Sequence, residues 1–224
     1  DVFLLAEYIL FDLDGTLTDP KEGITRCVSY ALEHFGIKRD PDSLTCFIGP
    51  PLKEQFMKYA ALSERDAVRA VEIYRERFAP IGLFENKIYG GILPMLEKLR
   101  SLGAVMAIAT SKPKVFAVQI AEKYGIAPYM TEIVGSELDG TLTDKALVIK
   151  KAMEFLGADK EHTIMVGDRE HDCIGAKKNG IGCIGVLYGY SEPGELKRTG
   201  ALKIVSDTDG LCSALVGIID GGQA

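Results

Sequence analysis

Asp12 and Asp14 stand two residues apart in the run Phe11-Asp12-Leu13-Asp14-Gly15-Thr16. They directly follow the apolar stretch Tyr8 to Phe11, which reads as a buried strand. Two further polar groups occupy equivalent places. Thr110 ends the apolar run Ala104 to Ala109, and Asp168 follows Thr163 to Gly167. In an α/β sheet, ligands bind beyond the carboxyl ends of the strands. Three strand ends therefore deliver Asp, Thr and Asp to one rim. Asp172 lies four residues after Asp168, one helical turn on, and faces the same way. Any one of these residues alone reads as a cap or turn former. Clustered carboxylates repel one another, so either some hold protons or a cation sits among them. An oxygen-only donor set that keeps waters suits Mg²⁺. An EF-hand loop does not fit, because its obligatory glycine would fall on Leu17.

The elements that must position these groups follow a pattern. Strand-length apolar runs, at Tyr8 to Phe11, Ala104 to Ala109, Glu132 to Val134, Thr163 to Val166 and Cys183 to Leu187, alternate with helical segments. Those helices lie near Ile92 to Leu102, Lys114 to Tyr124, Lys145 to Leu156 and Glu170 to Lys178. The alternation predicts a parallel α/β sheet. It breaks once. From Lys21 to Phe84 no convincing strand appears, and Ile24 to Phe35, Leu52 to Tyr59 and Glu64 to Phe78 all read as helices. A helical insertion fits better than three helices in one crossover.

The four polar segments together, Asp12-Leu13-Asp14-Gly15-Thr16, Thr110-Ser111, Lys145, and Gly167-Asp168 with Asp172, resemble the ordered motifs of the haloacid dehalogenase-like phosphatases. The resemblance covers nearly the whole chain, and its nearest subgroup is the phosphoglycolate phosphatase-like proteins. It implies a Rossmann-like parallel-sheet core, residues 1–18 and 85–224, and a small all-helical cap domain, residues 19–84, inserted after the first strand. The third motif departs from the pattern. Many relatives have Lys-Pro, whereas this chain has Lys145-Ala146, with Lys150 and Lys151 as fallback lysines.

The resemblance and the residue chemistry imply the same roles. Asp12 is the nucleophile and Asp14 the acid and base. Thr110 and Lys145 hold phosphoryl oxygens. Asp12, Asp168 and the backbone carbonyl of Asp14 ligate Mg²⁺, with Asp172 ligating through water or orienting the site. Ser111, Lys112, Lys53 and Arg26 are candidate substrate contacts, and Arg169 is a further cation within reach. The implied activity is hydrolysis of a small phosphorylated metabolite, phosphoglycolate or a similar compact anion. A nucleoside monophosphate or sugar phosphate follows, then mutase-like phosphoryl transfer, then a non-catalytic regulatory binding protein. Relatives that release halide lack the second aspartate, and Asp14 is present.

Other features carry less. The net charge of −6, with 47% hydrophobic and 26% charged residues, excludes disorder and gives no support to nucleic-acid or membrane binding. The apolar start Val2 to Ala6 lacks the basic flank of a signal peptide. Five cysteines without a C-x-x-C pair read as thiols in a reducing cytoplasm. A monomer or homodimer is expected. Gly180 to Gly185 matches G-x-G-x-x-G but runs from helix into strand, opposite to a dinucleotide fingerprint. His34, His162 and His171 are scattered. Finally, Leu13 to Asp19 recurs residue for residue as Leu138 to Asp144. Glu137 stands where the second copy would need its nucleophile, so only the first copy is expected to be catalytic.

Overall fold

The computed structural model describes residues 6–221. Most of the apolar start, residues 2–5, lies outside them. In chain order the elements are β1 (Tyr8–Phe11), β2 (Thr18–Asp19), α1 (Lys21–Glu33), α2 (Leu52–Ala60), α3 (Glu64–Phe78), β3 (Lys87–Ile88), α4 (Ile92–Ser101) and β4 (Val105–Pro113). There follow α5 (Lys114–Lys123), β5 (Glu132–Ser136), α6 (Lys145–Leu156), β6 (Thr163–Gly167), α7 (Glu170–Lys178), β7 (Gly182–Val186), α8 (Glu195–Arg198), β8 (Lys203–Val205) and α9 (Thr208–Ile219). A 3₁₀ stretch, Pro41–Phe47, joins α1 to α2. No described helix is long and apolar enough to cross a membrane.

Six strands form a parallel sheet in the order β5-β4-β1-β6-β7-β8. The chain leaves β1 and returns on both of its sides, which makes the end of β1 a topological switch point. Alternate residues serve opposite faces. Ile9, Phe11, Ile108, Ile164 and Val166 pack with Leu96 of α4 and Leu211 of α9. Leu10, Ala107, Ala109 and Met165 pack with Val148 of α6 and Ala176 of α7. Burial on both faces explains why the strands read as unbroken apolar runs.

The helices between β1 and α4 pack chiefly on one another, α1 on α3 and α2 on α3. Tyr74 and Phe78 stack at 5.1 Å, and Phe78 meets Phe116 of α5 edge-on at 5.3 Å. The sequence did not reveal how this segment is tied down. Its two ends meet in an antiparallel ribbon, with Thr18 opposite Ile88 and Asp19 opposite Lys87. Two-residue strands are too short for periodicity to register. The described cysteines are all free. Cys173 and Cys183 nevertheless meet between α7 and β7, with their sulfurs 3.1 Å apart.

Candidate active site

Asp12 sits one residue past β1, and its backbone N–H donates to the Val166 carbonyl of β6. Because Phe11 pairs with both Ile108 and Val166, the ends of β4 and β6 flank it. That register brings Thr110 and Asp168 to the same rim. Lys145 opens α6, whose N-cap is Asp144, and Asp172 lies in the first turn of α7. All of these side chains are buried.

Asp12, Asp168 and Asp172 place one carboxylate oxygen each within 4.8 Å of one another. The Lys145 Nζ stands among them, 2.7 Å from Asp12 Oδ1 and 2.9 Å from Asp172 Oδ1, and it donates to the Ala109 carbonyl at 3.1 Å. Burial alone would push the lysine's pKa down, but Asp12 and Asp172 overcome this and hold it above its ordinary value. Burial pushes the Asp172 carboxyl up to about 6 against the pull of Lys145. Asp168 is raised well above the usual range by burial, then by Asp172 and Asp12.

Backbone amides aim these carboxylates. The Arg169 N–H donates to Asp172 Oδ2 at 3.0 Å, and the Tyr190 N–H to Asp168 Oδ2 at 2.7 Å. Two close approaches require glycine. A Cβ on Gly15 would come 2.2 Å from Asp168 Oδ2, and one on Gly167 would come 2.2 Å from the Asp172 Cγ. Asp168 Oδ1 is buried and has no hydrogen-bond partner. One lysine among three buried carboxylates leaves an excess of negative charge. Together with that unpartnered oxygen, this fits a divalent cation with oxygen ligands.

Asp14 points away from this cluster. Its Oδ2 accepts from Lys112 Nζ at 2.6 Å, while Oδ1 is buried without a partner. Burial raises its pKa and Lys112 opposes the rise. Lys112, expected as a substrate contact, is thus the counterion of Asp14, and its Nζ also lies 4.8 Å from the centre of the Phe78 ring. Thr110 Oγ1 accepts from the Lys112 N–H at 3.2 Å. Ser111 Oγ donates to the Thr143 carbonyl at 3.0 Å.

Asp14 and Lys112 line a cavity of about 370 Å³ whose walls include Phe47, Tyr74, Phe78 and Phe116. Ser111 and Lys53 also line it, and Lys53 is paired with Glu64 at 2.6 Å. Arg26, a candidate substrate contact in the sequence, lies elsewhere. It lines a separate polar cleft, where Glu22 and Glu85 take its guanidinium at 2.6 and 2.8 Å. Arg169 binds Glu195 at 3.0 Å and the Ile48 carbonyl at 2.9 Å, so it holds a loop of the helical segment. The sequence reading missed Arg75, whose Nη1 donates to the Leu138 carbonyl at 2.7 Å. Nothing in the spacing of two residues on separate elements signals that contact.

The model of the family described as haloacid dehalogenase-like hydrolase matches residues 9–186. A 5'-nucleotidase of Pseudomonas aeruginosa is 48% identical over 199 residues, covering 88% of this chain and 90% of that protein. A phosphoglycolate phosphatase of Vibrio parahaemolyticus is 28% identical over 192 residues, covering 82% and 84%. The crystal structure of a predicted phosphatase from Clostridium acetobutylicum superposes with a TM-score of 0.92 at 48% identity, covering 95% of this chain and 99% of that one. The matched span takes in every element that carries the acidic cluster, and the chain belongs to the haloacid dehalogenase-like hydrolases and is a phosphatase of that family.

Proposed function

We propose that the chain hydrolyses a small phosphate monoester through an aspartyl-phosphate on Asp12, with Mg²⁺ as its cofactor. One observation carries this reading. A carboxylate at the sheet's switch point is held by a buried lysine, while a second carboxyl two residues on faces the open cavity.

Asp12, Asp168 and Asp172, with the backbone carbonyl of Asp14, are the candidate ligands of the metal. When bound, Mg²⁺ offsets the repulsion between an anionic nucleophile and an anionic phosphate. The remaining steps belong to side chains. A carboxylate oxygen of Asp12 attacks phosphorus, the ester P–O bond breaks, and Asp14 gives its proton to the departing oxygen. Burial keeps a proton on Asp14 more readily than on an exposed aspartate. Asp14 then takes a proton from water as that water attacks phosphorus, which frees phosphate and restores Asp12. Lys145 and Thr110 bind the phosphoryl oxygens that gather charge.

The substrate reading moves from phosphoglycolate toward a nucleoside 5'-monophosphate. The cavity far exceeds a glycolyl group, and the nucleotidase resembles this chain more closely than the phosphoglycolate phosphatase does. The test is phosphate release from a panel of phosphorylated metabolites, with Mg²⁺ and after exhaustive chelation. Turnover that needs Mg²⁺, is lost in Asp12→Asn, and is blocked by beryllium fluoride is the expected result. Undiminished turnover in the metal-free enzyme, or in Asp12→Asn, refutes the mechanism.

A further inference from the structure

The repeated heptad folds into two different objects. In the first copy Leu13 and Leu17 are fully buried beneath the acidic cluster. The second copy joins β5 to α6 as a self-contained turn. Asp139 Oδ1 accepts from the N–H and the hydroxyl of Thr141, at 2.9 and 2.8 Å. The Glu137 N–H donates to the Thr141 carbonyl, and the Gly140 N–H to that of Glu137. Gly140 has φ +89°, and a Cβ there would meet no atom within 4 Å. The turn is closed largely by its own hydrogen bonds, and the Leu138 side chain is 48% exposed.

This turn is tied to the core by the Ser111 hydroxyl on the Thr143 carbonyl, and to the helical segment by a second polar contact. Arg75, on α3, donates to the Leu138 carbonyl. The contact bridges the helical segment and the core at the cavity wall. Leu138, Asp139, Gly140, Glu72 and Arg75 all line that cavity. The Asp14–Lys112 ion pair and the aromatic rings together form its wall. Among the lining residues Arg75 is engaged by the Leu138 carbonyl, Lys53 by Glu64 and Glu72 by Arg69, while the Glu137 and Asp139 carboxylates line the cavity as well.

Building on the phosphatase reading of the site, we propose that Arg75 and the turn 137–143 form the leaving-group subsite, a clasp selecting esters whose leaving group is neutral and ring-bearing. Nucleosides are such leaving groups. A flat ring buries apolar area against Phe47, Tyr74, Phe78 and Phe116. The carboxylates at the rim accept from hydroxyl or amino donors. A second anion on the substrate, such as the carboxylate of phosphoglycolate, gains no ring contact and meets the Glu137 and Asp139 carboxylates, with Arg75 as the one opposing cation not paired to a carboxylate among the described lining residues. Arg75 and Leu138 are thus specificity-determining residues.

The test compares kcat and KM on a nucleoside 5'-monophosphate, phosphoglycolate and methyl phosphate, with Mg²⁺, for the wild type, Arg75→Ala and Leu138→Ser. The wild type should prefer the nucleotide to phosphoglycolate. In each variant the preference for the nucleotide over methyl phosphate should fall about tenfold, through KM rather than kcat. Leu138 is exposed, so its variant keeps the test open if Arg75→Ala misfolds. A wild type that prefers phosphoglycolate, or variants whose losses run in parallel on nucleotide and methyl phosphate, overturns the clasp while leaving the phosphatase reading intact. A wild type that releases phosphate from none of the three overturns both.

Discussion

Asp14 and Asp139 are the same residue in the same seven-residue context, and their surroundings set their chemistry apart. Asp14 is buried against Lys112 with one oxygen unpartnered, whereas Asp139 is exposed and spends an oxygen on its own turn. Hydrogen bonds from Thr141 lower the Asp139 pKa, as burial raises that of Asp14. Asp14→Asn is expected to cost about a hundredfold in kcat or more, about 2.7 kcal/mol of barrier, because an amide does not deliver the proton. Asp139→Asn should stay within about tenfold of the wild type, since asparagine keeps the turn's acceptor. Steady-state kinetics on folded variants, checked by circular dichroism, decide both. The acidic cluster was legible in the sequence because each carboxylate ends an apolar strand or opens the helix after one. The partner of Asp14 was not, because Lys112 lies on another strand and only the fold joins them. The pairing of Arg26 had a local signal, since Glu22 stands four residues before it, the spacing of a helical ion pair.

At the scale of elements, the runs that read as strands were those buried on both faces. β2, β3 and β8 span two or three residues and left no trace, and α9 was passed over although Leu211, Ala214 and Leu215 share a face. The ribbon of β2 and β3 lies beside an ion cluster at the foot of the helical segment. Glu85 takes Arg77 at 2.8 Å and Arg26 at 2.8 Å, joining α3 and α1 to the chain just before β3. Hydrogen bonds from Arg77, then Arg26, offset partial burial and hold the Glu85 carboxyl below the usual range. A depressed carboxyl stabilises the fold above its unfolded pKa, about 4.3, and loses that contribution as pH falls through its folded value. Glu85→Gln should therefore melt a few degrees below the wild type at pH 7. The gap should close under acid, as thermal scans from pH 7 to pH 3 would reveal. A gap of constant size would place the contribution of Glu85 in packing rather than charge.

Across the whole molecule, the acidic cluster sets reactivity against stability. Lys145 pairs with two of the three buried carboxylates, so binding of Mg²⁺ to the folded form alone should raise the melting temperature in proportion to occupancy. Asp168→Asn removes one charge from the cluster. It should melt at or above the metal-free wild type and lose the response to Mg²⁺, as calorimetry with and without the ion would register. A full Mg²⁺ response in that variant would remove Asp168 from the ligand set. The central place of β1 has another consequence, in the order of synthesis. Of the described strands β1 is synthesised first, yet it pairs with β4, which begins at Val105, and with β6, which begins at Thr163. Until the second partner emerges, a fully apolar strand has an unsatisfied edge, the kind that recruits other chains. Nascent chains stalled before Thr163 should depend on a holding chaperone that the completed chain no longer needs.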